Sequence, residues 1–264
     1  MHYINLSDND INPPTALGEE NLKAGAKILL ETISKNLNAI IIVDCDCDGY
    51  TSAALLINYL DTIFPSWTYE HLTWQMHDGK QHGLSDCLTS ILNHPLRFNL
   101  VICPDSSSND YNEHQKLNEC GIATLILDHH LADHISEYAI TINNQLSGYP
   151  NKELSGVGVT WQFCRYIDSI LKNNYADNFI DLVALGLCAD MMSLHSFETR
   201  AIITKGFKMN NIKNPFIEYM IDKNAFPLSK ADYQSSDPSM ACTSMGAAFF
   251  IVPFVNAITR SGTQ

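Results

Sequence analysis

The stretch VDCDCDGYTS, Val43–Ser52, sets three carboxylates at every second position and closes them with a glycine. Asp44, Asp46 and Asp48 repel one another at this spacing, and their pKa values rise unless a cation offsets the charge. The chemistry they suit is the holding of a divalent cation. A calcium loop of the D-x-D-x-D-G kind needs a helix before it and a bidentate glutamate at its twelfth position. Counted from Asp44 the twelfth residue is Leu55, and an apolar β-branched run precedes the loop, so that reading falls. Loop aspartates that merely cap the next helix explain one such carboxylate better than three.

Two further stretches end in the same way. NLVICPDSSSND is an apolar run closing at Asp105, and GIATLILDHH closes at Asp128, His129 and His130. Neighbouring side chains in extended backbone point to opposite sides. One of the two histidines could therefore bind metal while the other faces a substrate. Imidazole mixed with carboxylates suits a borderline ion such as manganese better than calcium. FIDLVALGLCADMMSL reads as an apolar helix that delivers Asp190 at its end. His2, His71, His77, His94, His114, His134 and His195 have no comparable setting and read as surface residues, with His82 a partial exception.

Elements must bring these residues together. The run Ile40–Val43 is short, β-branched and continuously apolar, which predicts a strand buried on both faces of a parallel sheet. NLKAGAKILLETISKNL before it has helical spacing, and TSAALLINYLDTIF after it predicts a helix with Thr51 or Ser52 as N-cap. SGVGVTWQFCRYIDSIL is a glycine turn opening a helix, and ETRAIITKGFKMNNI is a further amphipathic one. Three strands each ending in acidic or imidazole side chains imply an α/β fold. The carboxyl ends of parallel strands share one edge, and the site lies in the crevice outside them.

The 264 residues, 45% hydrophobic and 17% charged, suit one large globular domain or one with a small appendage. No apolar run reaches the roughly 20 residues that span a bilayer, and MHYINLSDND has no secretory character. Eight cysteines without a C-x-x-C pair, several inside apolar runs, predict a reduced, cytoplasmic protein. A net charge of -13 argues against a basic nucleic-acid-binding face. Carboxylates that bind metal count in that sum, however, while the ions they recruit do not.

DCDCDGYTS, PDSSSND, LDHH and LVALGLCADMMSL, in this order, resemble the four motifs of the DHH phosphoesterase superfamily. Within it they look most like the RecJ-like single-strand-specific exonucleases. KQHGLSD, SGVGVTWQF and VPFVNAITRSG are similar to secondary segments of that branch, and the resemblance runs from about Ile40 to the end. It implies a parallel-sheet DHH domain over residues 38–210 with helices on both faces. An N-terminal helical segment, 1–37, would precede it. A helical linker, 211–264, would lead towards a DHH-associated C-terminal domain that the chain lacks. A shortened chain, a split gene or a minimal catalytic domain would each look like this.

The resemblance further implies two divalent ions, manganese first and magnesium as the alternative. Their ligands would be Asp44, Asp46, Asp48, Asp105, His129 and Asp190, with Asp105 bridging. His130 would touch the scissile phosphate, and Asp128 would orient a neighbouring histidine, so that Asp105, Asp128 and His130 form the catalytic set. Lys80, His82 and Arg260 are the expected phosphate contacts. The implied activity is hydrolysis of single-stranded nucleic acid, DNA favoured and 5′ to 3′, in repair or recombination. The alternatives are a nuclease for very short oligonucleotides, a cyclic-dinucleotide phosphodiesterase, or an inactive metal-binding scaffold. The scaffold is disfavoured because every motif acid and both histidines are present. Cys45 and Cys47 stand where relatives tend to carry an aromatic and a small aliphatic residue, and read as packing. Serines follow Asp105 where many RecJ-like proteins have a glycine.

Overall fold

The computed structural model describes residues 6–77, 82–222 and 237–260, with side chains up to 257 in the last helix. The helices are, in chain order, α1 (Glu19–Ser34), α2 (Cys47–Ile63), α3 (Pro65–His71), α4 (Leu88–Asn93), α5 (Tyr111–Glu119), α6 (Gly156–Leu171), α7 (Ile180–Ala189), α8 (Phe197–Gly206) and α9 (Pro215–Asp222). A short α10 (Ser244–Gly246) then runs through a π-helical turn, Ala247–Ile251, into α11 (Val252–Arg260).

Five strands form the sheet: β1 (Ala39–Val43), β2 (Leu72–Met76), β3 (Leu100–Pro104), β4 (Ala123–Asp128) and β5 (Ile140–Asn143). Every pairing is parallel, in the order β2-β1-β3-β4-β5. The chain steps from β1 outward to β2, then crosses back to β3 on the other side of β1. The carboxyl ends of β1 and β3 therefore flank the topological switch point, where a crevice opens in sheets of this kind.

Side chains of β1 alternate between two cores, as the period of two requires. Ile41 and Val43 join the larger core with Leu55, Tyr59, Val157 and Trp161, under α1, α2, α6 and α7. Ile40 and Ile42 join a smaller one with Leu88, Ile91 and Leu117, under α4 and α5. The expected α/β class with helices on both faces is the fold observed.

Some local expectations needed correction. Helix α2 starts at Cys47 with Asp46 as N-cap, its carboxylate accepting from the Gly49 amide at 3.0 Å, rather than at Thr51 or Ser52. Aspartate is as good a cap as serine or threonine, and Thr51 is buried within the helix, bonded to the Asp48 carbonyl at 3.0 Å. His77 and His114 are fully buried, not surface residues. His114 lies on the inward face of α5 with Leu117, and His77 follows directly on β2. All eight cysteines are free thiols. Among the described residues, no helix is long and apolar enough to cross a membrane.

Candidate metal centre

Strands β1, β3 and β4 deliver Asp44, Asp105 and Asp128 to one edge of the sheet. Asp105 and Ser107 adopt φ of +66° and +82°, a left-handed backbone that costs a non-glycine residue about 1–3 kcal/mol and clusters at functional sites. The surroundings impose it. The Asp105 amide donates to the Leu127 carbonyl at 2.8 Å, and the Ser107 hydroxyl donates to Asp110. Asp110 also accepts from the Leu84 amide at 2.7 Å. A Cβ on Gly83, φ +84°, would lie 2.3 Å from Asp110 Oδ2, so this turn requires glycine.

At the centre, His129 Nε2 lies 3.2 Å from Asp105 Oδ1, 3.4 Å from Asp190 Oδ2 and 3.9 Å from Asp48 Oδ2. His129 Nε2 and Asp105 Oδ1 are both buried and neither makes a hydrogen bond. Two orphaned polar atoms in contact are costly, and a cation held between them would satisfy both. Burial first, then the neighbouring His130, holds the pKa of His129 below its ordinary value. A neutral imidazole is the form that binds metal.

Asp48 is fixed by the first turn of α6. It accepts from Ser155 Oγ at 2.9 Å, from the Gly156 amide at 2.7 Å and from the Val157 amide at 3.3 Å. Burial, reinforced by Asp190, nevertheless pushes its pKa up to about 7. Burial and the charge of Asp48 raise Asp105 well above the carboxylate range. Donor atoms of Asp48, His129 and Asp190 lie within 4.8 Å of one another, as do those of Asp44, Asp46 and Asp105. Backbone lines the cradle. A Cβ on Gly156 would sit 2.2 Å from Asp105 Oδ1, and one on Gly186 2.4 Å from Asp48 Oδ1. These two donor groups, joined where Asp105 meets His129, could hold divalent cations.

Histidines form the rim. Buried Asp128 accepts from His130 Nδ1 at 2.8 Å, from the His129 and His130 amides at 2.7 and 3.2 Å, and from the Ser108 amide at 3.1 Å. Burial alone would raise the Asp128 carboxyl, but the His130 hydrogen bond and charge hold it below its ordinary range. The same hydrogen bond raises half-buried His130 to about 9, making it a cation at neutral pH. His82 Nδ1 meets Asp44 Oδ1 at 2.9 Å, which raises its pKa, and its ring stands edge-on to His130 at 4.7 Å.

The sequence expectations thus converge on one crevice for Asp44, Asp46, Asp48, Asp105, Asp128, His129, His130 and Asp190, with His82 beside them. Lys80 lies outside the described residues. Arg260 ends α11, and its side chain lies outside them too. One residue was missed. His77 binds both Asp86 oxygens through Nδ1, at 2.9 and 3.0 Å, and its Nε2 lies 4.0 Å from Asp44 Oδ1. Its one signal is its place directly after β2, an edge strand whose mixed composition, LTWQM, does not announce it. Burial, then Asp44, pushes the Cys45 thiol up to about 11, and burial raises Cys47 further. Neither is a ready thiolate ligand.

A doubly wound parallel sheet with a carboxylate–imidazole cluster at its switch point defines the class: an α/β domain built around a candidate divalent-metal centre. The chain belongs to the DHH family, since residues 38–187 match the family described as "DHH family, N-terminal domain". It is 36% identical over 263 residues to YorK, an SPbeta prophage-derived protein of Bacillus subtilis (strain 168) named for single-strand DNA-specific exonuclease activity. That match covers 99% of this chain and 42% of YorK. It is 26% identical over 210 residues to the single-stranded-DNA-specific exonuclease RecJ of the same organism, covering 78% of this chain and 25% of RecJ. The chain therefore spans less than half the length of these relatives. Among solved structures, RecJ of Thermus thermophilus in complex with Mn2+ matches with a TM-score of 0.75 at 19% identity, over 97% of this chain and 35% of that one. At that identity the likeness establishes the fold.

Proposed function

We propose that this chain is a divalent-metal-dependent phosphodiesterase that hydrolyses single-stranded DNA as RecJ-like exonucleases do. The observation that carries the proposal is the contact of His129 Nε2 with Asp105 Oδ1, buried, 3.2 Å apart and without a hydrogen bond. The names of the relatives, single-strand DNA-specific exonucleases, supply the substrate class.

The proposed ligands are Asp48, His129 and Asp190 for one ion and Asp44, Asp46 and Asp105 for a second, with Asp105 between them. The ions, manganese by preference, would supply activation of an attacking water and neutralisation of charge on the phosphate. The protein's own residues do the rest. The α6 amides and Ser155 keep Asp48 in place. Asp128 locks the His130 ring and keeps it cationic, so that His130 can meet a phosphate oxygen at the rim. His82 adds a second imidazolium when protonated.

Asp105→Ala and His129→Ala are each expected to abolish manganese-dependent cleavage while circular dichroism stays that of the parent. Undiminished cleavage in either variant would sink the site assignment. Comparing 5′-labelled long strands, dinucleotides and cyclic dinucleotides separates the RecJ-like reading from the short-substrate alternatives, because the first predicts progressive shortening of the long strand.

A further inference from the structure

Helix α2 opens between two of the proposed ligands, and its first amides need partners. The Gly49 amide donates to Asp46 Oδ1 at 3.0 Å and the Tyr50 amide to the Asp46 carbonyl at 2.9 Å. The Cys47 amide, between Asp46 and Asp48, has a different partner. It donates to Oδ1 of Asn256 at 2.9 Å, from a residue 209 positions away. Asn256 belongs to α11, and the chain just before it is pinned to the larger core by buried Ile251 and Val252, with Val255 packed against that core. The helix therefore presents the amide oxygen from a fixed platform.

We propose that Asn256 is a positioning residue for the metal centre: its side-chain oxygen holds the Cys47 amide and thereby fixes the backbone that carries Asp46 and Asp48. A carboxylate ligand is effective only when its oxygens are held in place before the ion arrives, and groups bonded to the ligands or to their backbone supply that order. Asp48 is anchored from the α6 side, and Asp46 caps its own helix. The peptide joining them is anchored from α11. Asn256 thus makes the geometry of the centre depend on where the last described helix sits. This inference rests on the proposed function, because it takes Asp46 and Asp48 as ligands.

The test compares Asn256→Ala and Asn256→Asp with the parent in the full chain. Amide hydrogen exchange of Cys47 in the metal-free protein reads the hydrogen bond, and calorimetric titration with Mn2+ reads the centre. The alanine variant is expected to exchange the Cys47 amide at least about tenfold faster and to bind Mn2+ about three- to tenfold more weakly, the range one hydrogen bond supports. Aspartate retains an acceptor and is expected to restore Cys47 protection. Faster exchange with unchanged Mn2+ affinity, or parental exchange in the alanine variant, overturns the proposal. A parent that binds no Mn2+ overturns instead the functional reading beneath it, and the two failures are thereby distinguished.

Discussion

Gly156 shows how closely single residues set this site. A methyl group there would lie 2.2 Å from Asp105 Oδ1, inside any contact distance, so the carboxylate or the first turn of α6 must move. Gly156→Ala is expected to cost about 1–3 kcal/mol in chemical denaturation, the range for overpacking, and to weaken Mn2+ binding at least tenfold in calorimetry. Gly148, where a Cβ meets nothing within 4 Å, is the control, and its alanine variant should stay within about 0.5 kcal/mol of the parent. Asp48 gives a prediction with a sign. Its carboxyl titrates at about 7 in the folded chain against 3.8 for an unperturbed aspartate, so between those values the folded state binds the extra proton. Stability from this group is complete below the lower value and lost as pH rises through the upper one. In the metal-free protein the Tm of Asp48→Asn relative to the parent should therefore improve between pH 4 and pH 7. Mn2+ added at pH 7 should raise the parent's Tm more than the variant's, which keeps only the second donor group, Asp44, Asp46 and Asp105. A parallel pH dependence of Tm in the two proteins would show that Asp48 is ionised throughout.

At the scale of elements, β1, β3 and β4 were legible because each is a largely apolar run that leads to an ionisable residue. From that alone, their convergence at a parallel sheet's carboxyl edge could be reasoned before any coordinates. The two outer strands were not legible. LTWQM mixes polar with apolar residues because it lies at the edge and is only half-buried, and ITIN has four residues. Missing β2 meant missing His77, whose place at a strand end is invisible until the strand is known. The cap of α2 was misplaced for a related reason, as the acid that starts the helix also belongs to the candidate cluster. Ser155 holds the N-cap position of α6, yet its hydroxyl donates to Asp48 and makes no side-chain cap. The α6 N-terminus serves a buried carboxylate, which its amides and dipole favour. Asp86 is the test of the β2 edge. Asp86→Ala removes the carboxylate from a fully buried imidazole and is expected to cost about 1–3 kcal/mol in urea denaturation, whereas Asp86→Asn, which keeps an acceptor, should cost less. Equal stability of all three proteins would mean that the His77–Asp86 contact holds nothing in place.

For the whole molecule, 29 acidic residues against 16 basic ones pose the question of how such a chain would hold a polyanion. The crevice gathers Asp44, Asp46, Asp48, Asp105, Asp128 and Asp190, and the cations at its rim among the described residues are His130 and, when protonated, His82. Neither is enough to offset the carboxylates below them. On the proposed reading, attraction for phosphate comes with the bound ions, which reverse the local charge that the sequence sum records. DNA binding should then be metal-gated. In fluorescence anisotropy with a strand carrying non-hydrolysable terminal linkages, EDTA should weaken binding at least tenfold relative to Mn2+. The dependence on salt should be shallow in either condition, because each phosphate neutralised by a side chain contributes a slope of about -0.7 on single strands and few such side chains surround the site among the described residues. Asp105→Ala should bind equally weakly with and without Mn2+. Tight binding in EDTA with a steep salt slope would place the strand on a basic surface elsewhere in the chain and separate DNA affinity from the metal centre altogether.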